Sequence, residues 1–169
     1  MELTFDVKVT AKDLYRYNMR NAYTSFQGIL SIICAALVVF VFVWKFDALN
    51  VPYIILFIVL ALAFLLYIPI SLWIRSNQIV KTSDVFKEPL TFVFGDESIA
   101  VTSPIMTEED EVNLPYNDVF RVTKTSKDIL IYTNRVSAYI IPREQVTALE
   151  SQLLEMLKSK VEDFKIKGF

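Results

Sequence analysis

Two uncharged runs, "GILSIICAALVVFVFVW" at 28–44 and "VPYIILFIVLALAFLLYIPISLWI" at 51–74, constrain the fold of this chain more than any other feature. At about 1.5 Å per helical residue they reach about 26 and 36 Å, against about 30 Å for the hydrocarbon core of a bilayer. Both are long enough to cross, the second with tilt. Two buried helices of a soluble core need far more surrounding chain than 169 residues supply. Hydrophobic residues make up 54% of the chain, and these runs hold the excess over an ordinary soluble domain.

Only "KFDALN", 45–50, separates the runs, so they form an antiparallel hairpin spanning 28–46 and 51–74. Lys12, Arg16 and Arg20 precede the first span and Arg75, Lys81 and Lys87 follow the second, while the loop holds Lys45 alone. Cations near span ends stay on the cytoplasmic side, which predicts a multi-pass protein with both termini cytoplasmic. Tyr23, Phe26, Trp44, Phe46, Tyr53, Tyr67 and Trp73 gather toward the span ends, where amphipathic rings prefer to rest. The first span exceeds a signal-peptide core and no small-x-small site follows it, so cleavage is not expected.

No Asp, Glu, Lys or Arg interrupts either span, which argues against an ion or proton pathway. Ser31 is expected to return its hydroxyl to a carbonyl one turn back, and Pro69 to kink the second helix. Cys34, the single cysteine, lies among isoleucines and alanines and is read as packing, with no disulfide.

Residues 1–27 hold a strand and an amphipathic helix. "LTFDVKV" at 3–9 alternates apolar and polar with period two. Thr10 with Asp13 forms a capping box that opens a helix over 11–23, running on toward the first span. An isolated strand has no partner in water, so the Leu3, Phe5, Val7 and Val9 face must find a sheet beyond residue 88. From 76 to 169 the composition becomes that of a soluble β domain. Six β-rich runs, at 90–94, 98–103, 111–116, 120–126, 129–134 and 137–142, are bounded by turn signals that include an acidic tip "TEEDE" at 107–111. Pro142 then opens a helix to about Phe164, with Val146, Leu149, Leu153, Met156 or Leu157, and Val161 on one face.

Catalytic equipment is sparse. The chain has no histidine, which removes Ser-His-Asp, Cys-His and histidine-metal arrangements. Its three glycines, at 28, 95 and 168, exclude glycine-rich phosphate loops, and "TEEDE" lacks the spaced oxygens of a calcium loop. "TSKD" at 125–128 reads as a hairpin turn rather than a Ser-Lys pair. Neither a cofactor nor a metal is expected. From Arg75 onward 12 Lys and Arg stand against 15 Asp and Glu, a net of −3, which with a pI near 5.2 disfavours nucleic acid and general attraction to an anionic surface. Arg121, Lys124, Lys127, Arg135 and Arg143 form a possible interaction patch, set against the plainer reading of solvated strand charges.

The order "PYNDVFRV", "DILIY", "YIIPREQ", preceded by an N-terminal strand and two spans, resembles the YcxB-like family of small bacterial membrane proteins. Tyr116, Asp118, Val119, Pro142 and Arg143 carry the resemblance; the acidic tip is longer than the family pattern. The resemblance implies a bacterial cytoplasmic membrane and this architecture, and it brings no catalytic residues.

The expected fold is therefore an α+β membrane protein, with a transmembrane hairpin at 28–75 inserted in a β-rich cytoplasmic domain. That domain is a pleckstrin-homology-like (PH-like) barrel or a curved antiparallel sheet of seven strands, the N-terminal one included, with one C-terminal helix. The expected function is a non-enzymatic interaction or regulatory module binding another membrane or cytoplasmic protein. The alternative is a membrane-surface enzyme or lipid-headgroup sensor working through carboxylates and lysines of the β domain.

Overall fold

The computed structural model describes residues 2–46, 50–105 and 111–168. They divide into two compact units, one made of residues 1–14 and 79–169, the other of residues 15–78.

The first unit begins with β1 (Leu3–Val7). After the whole of the second unit it continues with β2 (Leu90–Phe94), β3 (Ser98–Thr102) and β4 (Val112–Pro115). Next come β5 (Arg121–Lys124), β6 (Asp128–Tyr132), β7 (Ala138–Pro142), α4 (Glu150–Lys160) and β8 (Ile166–Lys167). One antiparallel sheet has the order β1-β2-β3-β4, with Leu3 opposite Phe94, Phe5 opposite Phe92 and Val7 opposite Leu90. The N-terminal strand thus finds the sheet its apolar face requires. Alternation puts Leu3, Val7, Phe92, Phe94, Ile99 and Val101 on one buried face. Phe5 stacks on Phe92 and Phe94 at centroid distances of 5.9 and 5.6 Å.

The second sheet has the order β7-β6-β5-β8, antiparallel except for the β5–β8 pair. Every residue of β6 is buried, so this sheet is covered on both faces. Tyr139 of β7 meets Phe92 edge-on at 5.7 Å, joining the two sheets through one aromatic contact. Leu153, Met156 and Leu157 of α4 are buried in the same unit.

Three expectations change here. The strands form two sheets rather than one seven-stranded sheet or a closed barrel, because β5 pairs with β6 and β8, not with β4. A 3₁₀ turn at Tyr116–Asp118 carries the chain from one sheet to the other. The added strand, β8, is two residues long, beneath any sequence signal. The C-terminal helix starts at Glu150 rather than Pro142, because Arg143–Gln145 form a 3₁₀ turn whose Arg143 is held by other elements. It ends at Lys160, where Val161 turns extended (φ −101°, ψ 139°).

The second unit holds most of α1 (Ala11–Thr24), then α2 (Phe26–Lys45) and nearly all of α3 (Val51–Thr82). Thr10 and Asp13 do form the capping box, Asp13 Oδ2 accepting from Thr10 N at 2.9 Å and from Thr10 Oγ1 at 2.6 Å. The helix does not run on into the apolar segment. Ser25 is extended (φ −85°, ψ 159°) and caps α2, its Oγ accepting from Gly28 N at 3.3 Å. A Cβ on Gly28 would lie 2.1 Å from Ala22 O, so only glycine permits this close approach of α1. Asn18 Nδ2 donates to Ser76 Oγ at 3.1 Å, tying α1 to α3, and α3 continues eight residues past its expected end.

Ser31 does not bond one turn back along its own helix. Its hydroxyl crosses to Phe64 O of α3 at 2.9 Å, and Phe42 and Phe57 meet farther along at 6.0 Å. The hairpin gives two helices long and apolar enough to cross a membrane. Their apolar side chains point outward: Leu37, Phe40, Val43, Ile55 and Leu65 are all exposed. The loop at 47–49 and most of the acidic tip at 107–111 lie outside the described residues.

Candidate functional site

The five cations singled out from the sequence separate into two groups at opposite ends of the second sheet. Arg121 lies opposite Tyr132 and sets its guanidinium 4.2 Å from the centre of that ring, while Arg135 is exposed in the turn after β6. Lys124, Lys127 and Arg143 lie at the other end, three strand steps or about 10 Å along β5.

Within that second group the charges converge on Glu150, the first residue of α4. Arg143 reaches Glu150 Oε1 with Nη2 at 2.7 Å and Nε at 2.9 Å, and Lys124 Nζ stands 3.4 Å away. The Glu150 carboxyl is held below the usual carboxylate range, first by the Arg143 hydrogen bond and then by Lys124. Arg143 Nη1 also donates to Thr125 O and Ser126 O at 3.2 and 3.1 Å, and its main-chain N to Lys127 O at 2.9 Å. Thr125 closes the same turn, its Oγ1 accepting from Asp128 N at 2.8 Å. Arg143 and Glu150 therefore lock the β5–β6 turn to the start of α4. Lys127 and Arg135 keep their side chains exposed, one at each end of the sheet.

A cleft along α4 has no signal in the sequence. Gln152, Glu155, Met156, Ser159 and Lys160 line a cavity of about 250 Å³. At its margin Lys160 Nζ binds Asp96 Oδ1 at 2.9 Å and Asp96 O at 2.7 Å, and the ammonium lies 5.7 Å from the centre of the Tyr116 ring. Tyr116 donates to Gly95 O at 3.0 Å and touches Met156 Sδ at 3.9 Å. Burial, helped by the nearby Asp96 charge, pushes the Tyr116 hydroxyl up to about 12, so it stays protonated at neutral pH. The Lys160 hydrogen bond and charge lower the Asp96 carboxyl.

Arg143 with Glu150 and Lys160 with Asp96 form charge pairs, and the Ser159 hydroxyl in the cavity lining donates to Met156 O at 2.9 Å. The cavity is smaller than the roughly 300–1,000 Å³ typical of small-molecule sites. Among the described residues no cluster of three metal-ligating side chains occurs. Asp96 and Lys160 are 64 positions apart, which is why neither stands out in the sequence.

Residues 94–157 match the YcxB-like protein family. The match runs from the last residue of β2 into α4, covers the three motifs that carry the resemblance, and takes in Tyr116, Arg143, Glu150 and Met156. It covers less than half of the chain and reaches neither β1 nor the hairpin. No curated protein and no solved structure gives a significant match.

Proposed function

We propose that this protein is a membrane-anchored interaction module, non-enzymatic, whose β domain works at the cytoplasmic face of a bacterial membrane. The observation that carries the reading is the pairing of β1 with β2 across an apolar hairpin. The chain leaves one sheet, forms two helices with exposed apolar surface, and returns to the same sheet. Exposed apolar helices of this length are stable in lipid and unfavourable in water. The cations flanking the hairpin favour cytoplasmic termini.

The partner in this reading is a protein, and the α4 cleft with its Met156 floor is the place where one of its side chains docks. A photo-crosslinking amino acid at exposed Glu155 should give a discrete protein adduct in intact cells, and the same probe at exposed Thr4 should not. Equal, diffuse labelling from both positions, or none from either, would count against a docking role for α4.

A further inference from the structure

The helical unit contains a cleft of about 640 Å³, larger than the α4 cavity and within the range that holds small molecules. Its two ends differ in chemistry. At one end stand Ser25 of the α1–α2 turn with Ser71 and Arg75 of α3; at the other stand Leu30, Cys34 and Phe64 with Ser31, whose hydroxyl donates to Phe64 O. From Phe64 to Arg75 is eleven residues, or about 16 Å along the helix. Ser25 and Ser71 donate their protons to Ala22 O and Ile68 O, which leaves the Arg75 guanidinium as the group to meet an anion. Among the described residues Arg75 makes no ion pair, and no acidic side chain lines the cleft.

We propose that this cleft holds one anionic phospholipid, its phosphate on Arg75 and an acyl chain running toward Phe64. Arg75 is exposed and, among the described residues, makes no ion pair at the polar end of a largely apolar cleft, where a lipid phosphate can meet its guanidinium in bidentate form. The polar-to-apolar gradient along the cleft matches the gradient along such a lipid. Gly28 shapes the mouth, since any side chain there would displace the Ala22 main chain that borders it. The inference rests on membrane insertion of the hairpin.

The test is native mass spectrometry of the full chain in neutral detergent, with phosphatidylglycerol or phosphatidylcholine added at equal concentration. One phosphatidylglycerol adduct should persist, at least tenfold more abundant than the phosphatidylcholine adduct, and excess inorganic phosphate should not displace it. Arg75→Gln should remove that preference, whereas Arg20→Gln, which deletes the same charge outside the cleft, should keep it. Ser71→Trp, which fills the mouth without changing charge, should also lose the adduct. Equal loss in Arg75→Gln and Arg20→Gln, or equal retention of the two lipids by the unaltered chain, would overturn the proposal. A chain that inserts correctly yet binds neither lipid would also overturn it while leaving the anchored-module reading in place.

Discussion

Ser31 Oγ donates a 2.9 Å hydrogen bond to the main-chain carbonyl of Phe64, giving two otherwise apolar helices a polar fastening. Hydroxyl bonds between membrane helices contribute about 0.6 kcal/mol on average, because a dissociated helix finds other partners. Ser31→Ala should therefore lower the stability of the hairpin by about that amount in a dodecyl-sulfate titration of mixed micelles. A loss several times larger would mean that the bond organises the packing around it.

The first strand has a larger effect. Val7 is 1% exposed and lies opposite Leu90, so Val7→Asp places a carboxylate in the core with no partner. It should cost more than about 3 kcal/mol. Limited proteolysis should then cut within residues 79–168, while both apolar helices still insert. Thr4→Asp, on the exposed face of the same strand, should change little.

Local signals made much of this legible. The two apolar runs, the period-two pattern of Leu3–Val7 and the Thr10–Asp13 box each report on themselves, since the forces that form them act within a few residues. The choice of β8 and β6 as partners for β5 depends on contacts from distant parts of the chain, and a two-residue strand has no period to read. The same limit applies to the cations. Lys124 and Arg143 look solvent-facing in one dimension, but Glu150 gathers both once α4 begins where it does. Ser31 likewise gave no hint that its acceptor lies 33 residues away.

The Arg143–Glu150 contact should give the β domain an acid-sensitive step. The folded pKa of Glu150 is lowered from an ordinary value near 4.5, so its contribution is complete above that value and fades as pH falls through the lower folded one. Glu150→Gln should lose about 1 kcal/mol at pH 7 and show a shallower decline in stability below pH 4.5 than the unaltered protein. Denaturant unfolding at several pH values measures both effects. Parallel curves would remove Glu150 from the account of acid stability.

Tyr116 gives the opposite, alkaline signature. Its folded pKa of about 12 exceeds the ordinary 10, so the stability it contributes is complete below pH 10 and is lost as pH rises toward 12. Tyr116→Phe forfeits the hydrogen bond to Gly95 O, at a cost of about 1 kcal/mol at neutral pH. The variant should also lose less stability between pH 10 and 12. In the ultraviolet difference titration between the two proteins, the missing phenolate signal should have its midpoint near pH 12. A midpoint near 10 would show a Tyr116 that water reaches freely.

The central claim is that the chain enters and leaves the bilayer on one side, so that β1 and β2 meet in the cytoplasm. With Cys34→Ser as background, single cysteines at Asn50, Glu88 and Glu155 report the hairpin loop, the approach to β2 and the α4 surface. A membrane-impermeant maleimide added to intact cells should label the Asn50→Cys protein alone, and the Glu88→Cys and Glu155→Cys proteins only after permeabilisation. Labelling of either of those two in intact cells, or protection of all three until the membrane is opened, would contradict the account.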